Sequence, residues 1–157
     1  MKFTSQEDIE APIDAVFRAV SNFDSIERSA LRRGARVQRV DRKTHPSTQI
    51  SWDVGFVFRG KRREMLVELT ALDAPHHLLV QSLTGGLGGE VSVDLVALSR
   101  NRTRLSIEIE VKPRTLSSRL MVQSMRLAKS KLTKRFRLKV AGFAADIEDR
   151  YNGGRLT

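Results

Sequence analysis

The sequence predicts an α+β fold: a curved, antiparallel, seven-stranded sheet wrapped around one long C-terminal helix, with two short helices after strand 1. Three observations carry this. Between residues 50 and 111 apolar side chains recur at every second position in runs separated by short turns, the period of half-buried strands. From about residue 115 to 150 the spacing changes to 3 and 4, the period of a helix. Near the start, Pro12 opens a short helical stretch.

In order, residues 2–10 (KFTSQEDIE) read as a first strand. After Ala11-Pro12, the residues Ile13, Val16, Phe17 and Val20 make one helical face. Ser21-Asn22 interrupts it, and a second short helix follows at about 23–31, with Phe23, Ile26 and Leu31 inward and Gly34 as its stop. Residues 35–42 form a short polar strand, closed by the turn THPS around Pro46. Ile50, Trp52, Val54, Phe56 and Phe58 alternate, and Arg59-Gly60-Lys61 turns the chain. Met65, Val67, Leu69 and Ala71 alternate next, followed by the turn Asp73-Ala74-Pro75 and a strand at 77–83. Gly85, Gly86, Gly88 and Gly89 read as a flexible hairpin able to gate a cavity. Val91, Val93, Leu95 and Ala97 alternate, Arg100-Asn101-Arg102 turns, and Leu105, Ile107, Ile109 and Val111 alternate again before Pro113 ends the strand. Short connections imply a meander. One helix over about 115–150 would be roughly 54 Å long at 1.5 Å per residue. Its apolar stripe is Met121, Met125, Ala128, Leu132, Phe136, Val140, Phe143 and Ile147, widened by Leu116, Leu120, Leu127 and Leu138.

The 157 residues are expected to form a single domain, 1–157. Cysteine is absent, which excludes disulfides and thiolate chemistry. MKFTSQEDIE has no apolar core of a signal peptide, and no apolar run approaches the ~18–20 residues of a membrane span, so a cytoplasmic protein is expected, peripheral to a membrane at most. Charge is uneven. No Asp or Glu occurs from Val111 to Ala145, whereas ten Lys and Arg do, and the remaining 18 basic residues balance the 18 acidic ones. The whole net charge of +10 thus sits in the last third, favouring an anionic partner.

The opening I-E-A-P-I-D-A-V-F (residues 9–17) resembles the start of the START-like (SRPBCC) superfamily, the polyketide cyclase and lipid-transport type of helix-grip protein. Asp73-Ala74-Pro75 before a strand and the glycine-rich hairpin at 84–89 are similar to the same family, and the element order agrees over the whole chain. The resemblance implies a deep apolar cavity between sheet and C-terminal helix. Family members there bind lipids, sterols, quinones, polyketides or aromatic hormones; some catalyse cyclisation or hydrolysis.

The residues expected to touch such a ligand are Trp52, Val54, Phe56, Phe58, Met65, Val67, Val93, Leu95, Ile107, Leu127, Lys131 and Arg135. The aromatic and aliphatic positions suit a flat or lipidic molecule, or equally an ordinary core. Lys131 and Arg135 fall inside the broad apolar arc of the long helix. Either they meet a ligand carboxylate or phosphate, or they snorkel to water. Arg59, Lys61, Arg62 and Arg63 form a second basic patch at a hairpin tip.

No catalytic residue is assigned. The strand carboxylates Glu68, Asp94, Glu108 and Glu110 alternate away from the apolar face, and only Asp53, Gln81 or Arg63 would turn inward if a register differed. His45, His76 and His77 lie in or beside turns without metal-ligand spacing, so neither metal nor cofactor is expected. Binding or transport of a hydrophobic small molecule, acidic or neutral, is therefore favoured. A cyclase or hydrolase acting on an aromatic or polyketide-like substrate is the alternative, and polyanion binding through the basic helix the second. Nucleic acid is disfavoured, because the aromatics of that helix, Phe136 and Phe143, fit the buried stripe. Peripheral contact with an anionic membrane is the remaining partner expectation.

Overall fold

The computed structural model describes residues 1–41 and 50–154; the THPS turn and His45 lie outside them. The elements run β1 (Lys2–Ile9), α1 (Ile13–Val20), α2 (Phe23–Arg32), β2 (Arg36–Asp41), β3 (Ile50–Phe58), β4 (Lys61–Asp73), β5 (His77–Thr84), β6 (Leu87–Ser99), β7 (Arg102–Pro113), α3 (Leu116–Leu127) and α4 (Lys129–Asn152). The seven strands form one antiparallel sheet in the order β1-β7-β6-β5-β4-β3-β2. Strands 2 to 7 are a meander, and β1 joins the last strand, with Phe3 opposite Ile109 and Ile9 opposite Thr103.

The alternation of the strands decides which face is buried. Phe3, Ile9, Leu105, Leu95, Val93, Leu78, Leu69 and Trp52 are buried on the concave face. All but Phe3 enter one apolar cluster with Ala11, Val16, Phe17 and Val20 of the α1 region. Buried Thr103 donates its hydroxyl to the Ala11 carbonyl at 2.8 Å, so the turn into α1 is stitched to β7. Two-residue turns join β3 to β4, β5 to β6 and β6 to β7. In the first of these Arg59 and Gly60 both have positive φ (52° and 75°), the conformation that matches the twist of a hairpin.

The glycine-rich hairpin is tighter than expected. Only Gly85 and Gly86 form the turn, while Gly88 and Gly89 belong to β6. The turn is tied down: the Arg114 amide donates to the Gly86 carbonyl at 2.8 Å. A Cβ on Gly86 would collide with the Thr115 side chain, which caps α3 by accepting from the Ser118 amide. These contacts attach the hairpin to a helix start instead of leaving it free to gate.

The C-terminal helix is two helices. Ala128, at φ −104° and ψ 12°, leaves the helical region and separates α3 from α4. The two pieces follow different surfaces, α3 against β7 and α4 along β1. Phe136 meets Phe3 edge-on at 6.5 Å, Arg137 donates to the Thr4 carbonyl at 3.1 Å, and the Glu148 carboxylate accepts from the Glu10 amide at 2.8 Å. Val140, Ala144 and Ile147 are the buried residues of α4, and Val140 and Ile147 are on the stripe that the spacing predicts.

The apolar arc, however, is narrower than the sequence suggests. Leu116, Leu120, Leu127 and Leu138 are exposed, as is Leu31 of α2. In α3 the buried residues are Ser118 and Val122. They share the face away from Leu116, Leu120 and Leu127, so those three leucines form a separate outer stripe; Leu138 lies on the side of α4 away from Val140, Ala144 and Ile147.

Candidate functional site: an apolar cavity under α2

A cavity of about 450 Å³ lies against the concave face of the sheet. Its floor is Trp52 and Val54 of β3, Met65 and Val67 of β4, Leu78 and Val80 of β5, Val91 and Val93 of β6, and Ile107 of β7, with Val37 of β2 at one side. The roof is the end of α1 and the inner face of α2: Val20, Phe23, Ile26, Glu27 and Ala30. The α2 spacing of 3, 1 and 3 from Phe23 to Ala30 is a helical face, and the Asn22 side chain caps the helix by accepting from the Ser25 amide at 3.2 Å. Phe143 is the contribution of α4. The cavity thus sits between sheet and α2 more than between sheet and C-terminal helix, because α4 runs along the β1 edge. Ile26, Ala30 and Phe143 also line an outer cleft between α2 and α4, so they form the rim where the cavity meets solvent.

Among the lining residues Glu27 alone is charged. Its Oε1 accepts from Trp52 Nε1 at 2.7 Å and from Arg39 Nε at 2.9 Å. Arg39, opposite Trp52 in the β2–β3 ladder, also reaches Asp24 at 3.0 Å, with its guanidinium carbon 5.9 Å from the Trp52 ring centroid. Trp52 packs on Phe23 at 5.4 Å. One indole thus connects floor, roof and ion pair. The Trp52 hydrogen bond, followed by the Arg39 guanidinium, outweighs partial burial and holds the Glu27 carboxyl below its ordinary range; Glu27 and Asp24 raise Arg39 in turn.

A depressed carboxyl stabilises the fold above its unfolded pKa, and that contribution is lost as pH falls through the lower folded value. Glu27→Gln is expected to lower stability at neutral pH by about 1 kcal/mol, since Arg39 is itself partly solvated. The melting-temperature gap between the two proteins should close as the pH falls below the ordinary glutamate range and acid titrates Glu27. Thermal melts across that range check it; a gap constant with pH contradicts the ion-pair account.

The expected contact residues divide in two. Trp52, Val54, Met65, Val67, Val93 and Ile107 line the cavity. The others do not. Leu95 lies in the sealed core, 2% exposed. Phe56 faces a neighbouring outer depression with Ala30 and Arg33. Phe58 is at the hairpin tip, half-exposed, with the Arg59 and Arg63 guanidiniums 5.2 and 5.6 Å from its ring centre. Leu127 (93% exposed), Lys131 and Arg135 stand in solvent outside the cavity. Once the outer leucines are separated from the core stripe, both cations lie beside solvent.

Asp53 and Gln81 point to the convex face, opposite to Trp52 and Val80 in their strands, and both are exposed. The polar residue that does reach the cavity is Glu27, which the sequence reading did not single out. Its signal was the run Phe23, Ile26, Glu27, Ala30, a helical face on which a carboxylate stands among apolar side chains. Among the described residues no group of three or more His, Asp or Glu is gathered as a metal ion would need.

The polyketide cyclase / dehydrase and lipid transport family model matches residues 1–148. The chain belongs to that family. A comparison with curated proteins gives no match. Solved structures share the fold at low identity. The Zhui aromatase/cyclase from Streptomyces sp. R1128 has a TM-score of 0.65 at 11% identity, covering 96% of this chain and 95% of its own. Norcoclaurine synthase from Thalictrum flavum has 0.64 at 14%, covering 95% and 84%. The protein TTHA0849 from Thermus thermophilus has 0.60 at 12%, covering 94% and 97%. The helix-grip architecture is therefore that of a family holding both ligand carriers and cyclases. No helix among the described residues is long and apolar enough to cross a membrane.

Proposed function

We propose that this family member binds and carries a hydrophobic small molecule, a lipid, quinone or polyketide-like compound, in the cavity under α2. The observation that carries the reading is the wall itself: about 450 Å³ of space, lined by apolar side chains apart from one carboxylate that is already paired. Trp52, Val54, Met65, Val67, Val93 and Ile107 are the contact residues from the sheet. Val80, Val91, Leu78 and Phe23 join them.

Two of the fold relatives are enzymes by name, so catalysis is the competing reading. A general base works best with a pKa near the working pH. Glu27 is displaced the other way, and its Oε1 is occupied by two donors. That favours carriage. An apolar cargo has to be collected and delivered somewhere, and the cationic last third favours an anionic membrane as the place.

Native mass spectrometry of the purified protein, followed by extraction of whatever is bound, tests the proposal. One apolar molecule per chain, recovered chemically unchanged after incubation, is the expected result. A protein that emerges empty and also fails to take up the uncharged probe N-phenyl-1-naphthylamine overturns it. Turnover of the extracted molecule would move the assignment to an enzyme.

A further inference from the structure

We infer that the outer face of α3, with the cationic start of α4 beside it, is a surface that inserts into the interface of an anionic lipid bilayer. The inference deepens the carrier reading and rests on it for its purpose; its geometry stands independently. On α3 the residues Leu116, Leu120 and Leu127 are 74%, 58% and 93% exposed. At 3.6 residues per turn they fall within roughly 40° of one another. The buried residues of that helix, Ser118 and Val122, lie toward the opposite side, against β7. The helix thus shows three leucines to solvent, with exposed Gln123 beside them. On α4, past the Ala128 break, Leu138 is 64% exposed and lines an open depression with Lys129, Lys134, Arg137 and Glu7 of β1.

Charge decides which partner fits. Arg119 and Arg126 flank the stripe on α3, and Lys131 and Lys134 follow on the first turns of α4, all four exposed. None forms an ion pair among the described residues, where the pairs gather on the sheet, on α2 and near the end of α4. No carboxylate occurs from residue 111 to 145. A second copy of this chain docked face to face would oppose cation to cation. Lipid phosphates complement the cations, and an acyl boundary takes the leucines; this is the composition of a helix that lies in a membrane interface.

The test uses the full chain, vesicles of phosphatidylcholine with and without phosphatidylglycerol, and the triple variant Leu116→Ser, Leu120→Ser, Leu127→Ser. Because these side chains stand in solvent, the variant should melt as the parent does. Co-sedimentation should show the parent on the anionic vesicles, and the variant should bind them at least roughly tenfold more weakly. Arg119→Gln with Arg126→Gln should also weaken binding and reduce its salt dependence. A parent that ignores anionic vesicles, or a triple variant that binds them equally well, overturns the inference. So does a parent that is dimeric by analytical ultracentrifugation and becomes monomeric in the triple variant, since the stripe would then be a self-association face. Uptake of N-phenyl-1-naphthylamine, measured without vesicles, reports the cavity separately, so failure of the carrier reading is distinguishable from failure of this one.

Discussion

Replacing Trp52 with alanine should destabilise the protein by about 3–5 kcal/mol, the largest effect expected of a single substitution here. The indole is 7% exposed and meets three structures at once: the sheet, Phe23 on α2, and the Glu27–Arg39 pair. Its loss removes a large apolar surface, enlarges an existing cavity and strips a carboxylate of a donor. Trp52→Phe separates these contributions. Phenylalanine keeps most of the apolar contact but cannot donate to Glu27, so a cost of about 1.5–3 kcal/mol is expected. Denaturant unfolding of both variants measures the two values. If Trp52→Phe were as costly as Trp52→Ala, ring packing would matter little and the polar link would dominate. If it were neutral, Glu27 would be held by Arg39 alone.

The second large effect concerns ligand uptake. Val91→Trp should reduce binding of an apolar probe by about a hundredfold or more, equivalent to about 2.7 kcal/mol of lost affinity. Val91 is on β6 opposite Val80 of β5, in the cavity floor. An indole there projects into open space instead of into packed neighbours, so the usual cost of overpacking, about 1–3 kcal/mol, should be largely avoided. The melting temperature is expected to hold or rise while uptake falls. Val80→Phe provides a second, smaller plug from the adjoining strand. Full uptake by both folded variants would place the ligand elsewhere, with the outer depressions beside Phe56 and between α2 and α4 the next sites to test.

The elements from Ile50 to Pro113 were legible because alternation is a direct readout of a sheet with one buried face. Trp52 and Val54 could be assigned to that face, and strand pairing places Val67 and Met65 beside them. The helices were harder. Leu116, Leu120, Leu127 and Leu138 have the same spacing as a core stripe, and nothing in their identity distinguishes an outer apolar stripe from a wider inner one. That ambiguity drew Lys131 and Arg135 into the expected site. The break at Ala128 was equally hidden, since alanine is the best of helix formers. Glu27 went unassigned for a different reason. A search for acids among strand positions overlooks a carboxylate brought in by a helix across the cavity, although its neighbours Phe23, Ile26 and Ala30 mark the same face.

The pairing of β1 with β7 also has a bearing on how the molecule comes to be. The first strand finds its partner about a hundred positions later: the Met1 amino group donates to Val111, and Phe3 sits opposite Ile109. On a ribosome, residues 1–9 therefore emerge with no surface to join until β7 has been made. Until then Phe3 and Ile9, 8% and 1% exposed in the finished fold, remain uncovered. Long-range pairing of this kind slows folding, toward the millisecond-to-second range of non-local β topologies. It leaves the nascent chain with an unpaired strand and bare apolar side chains, the condition under which chaperones matter most.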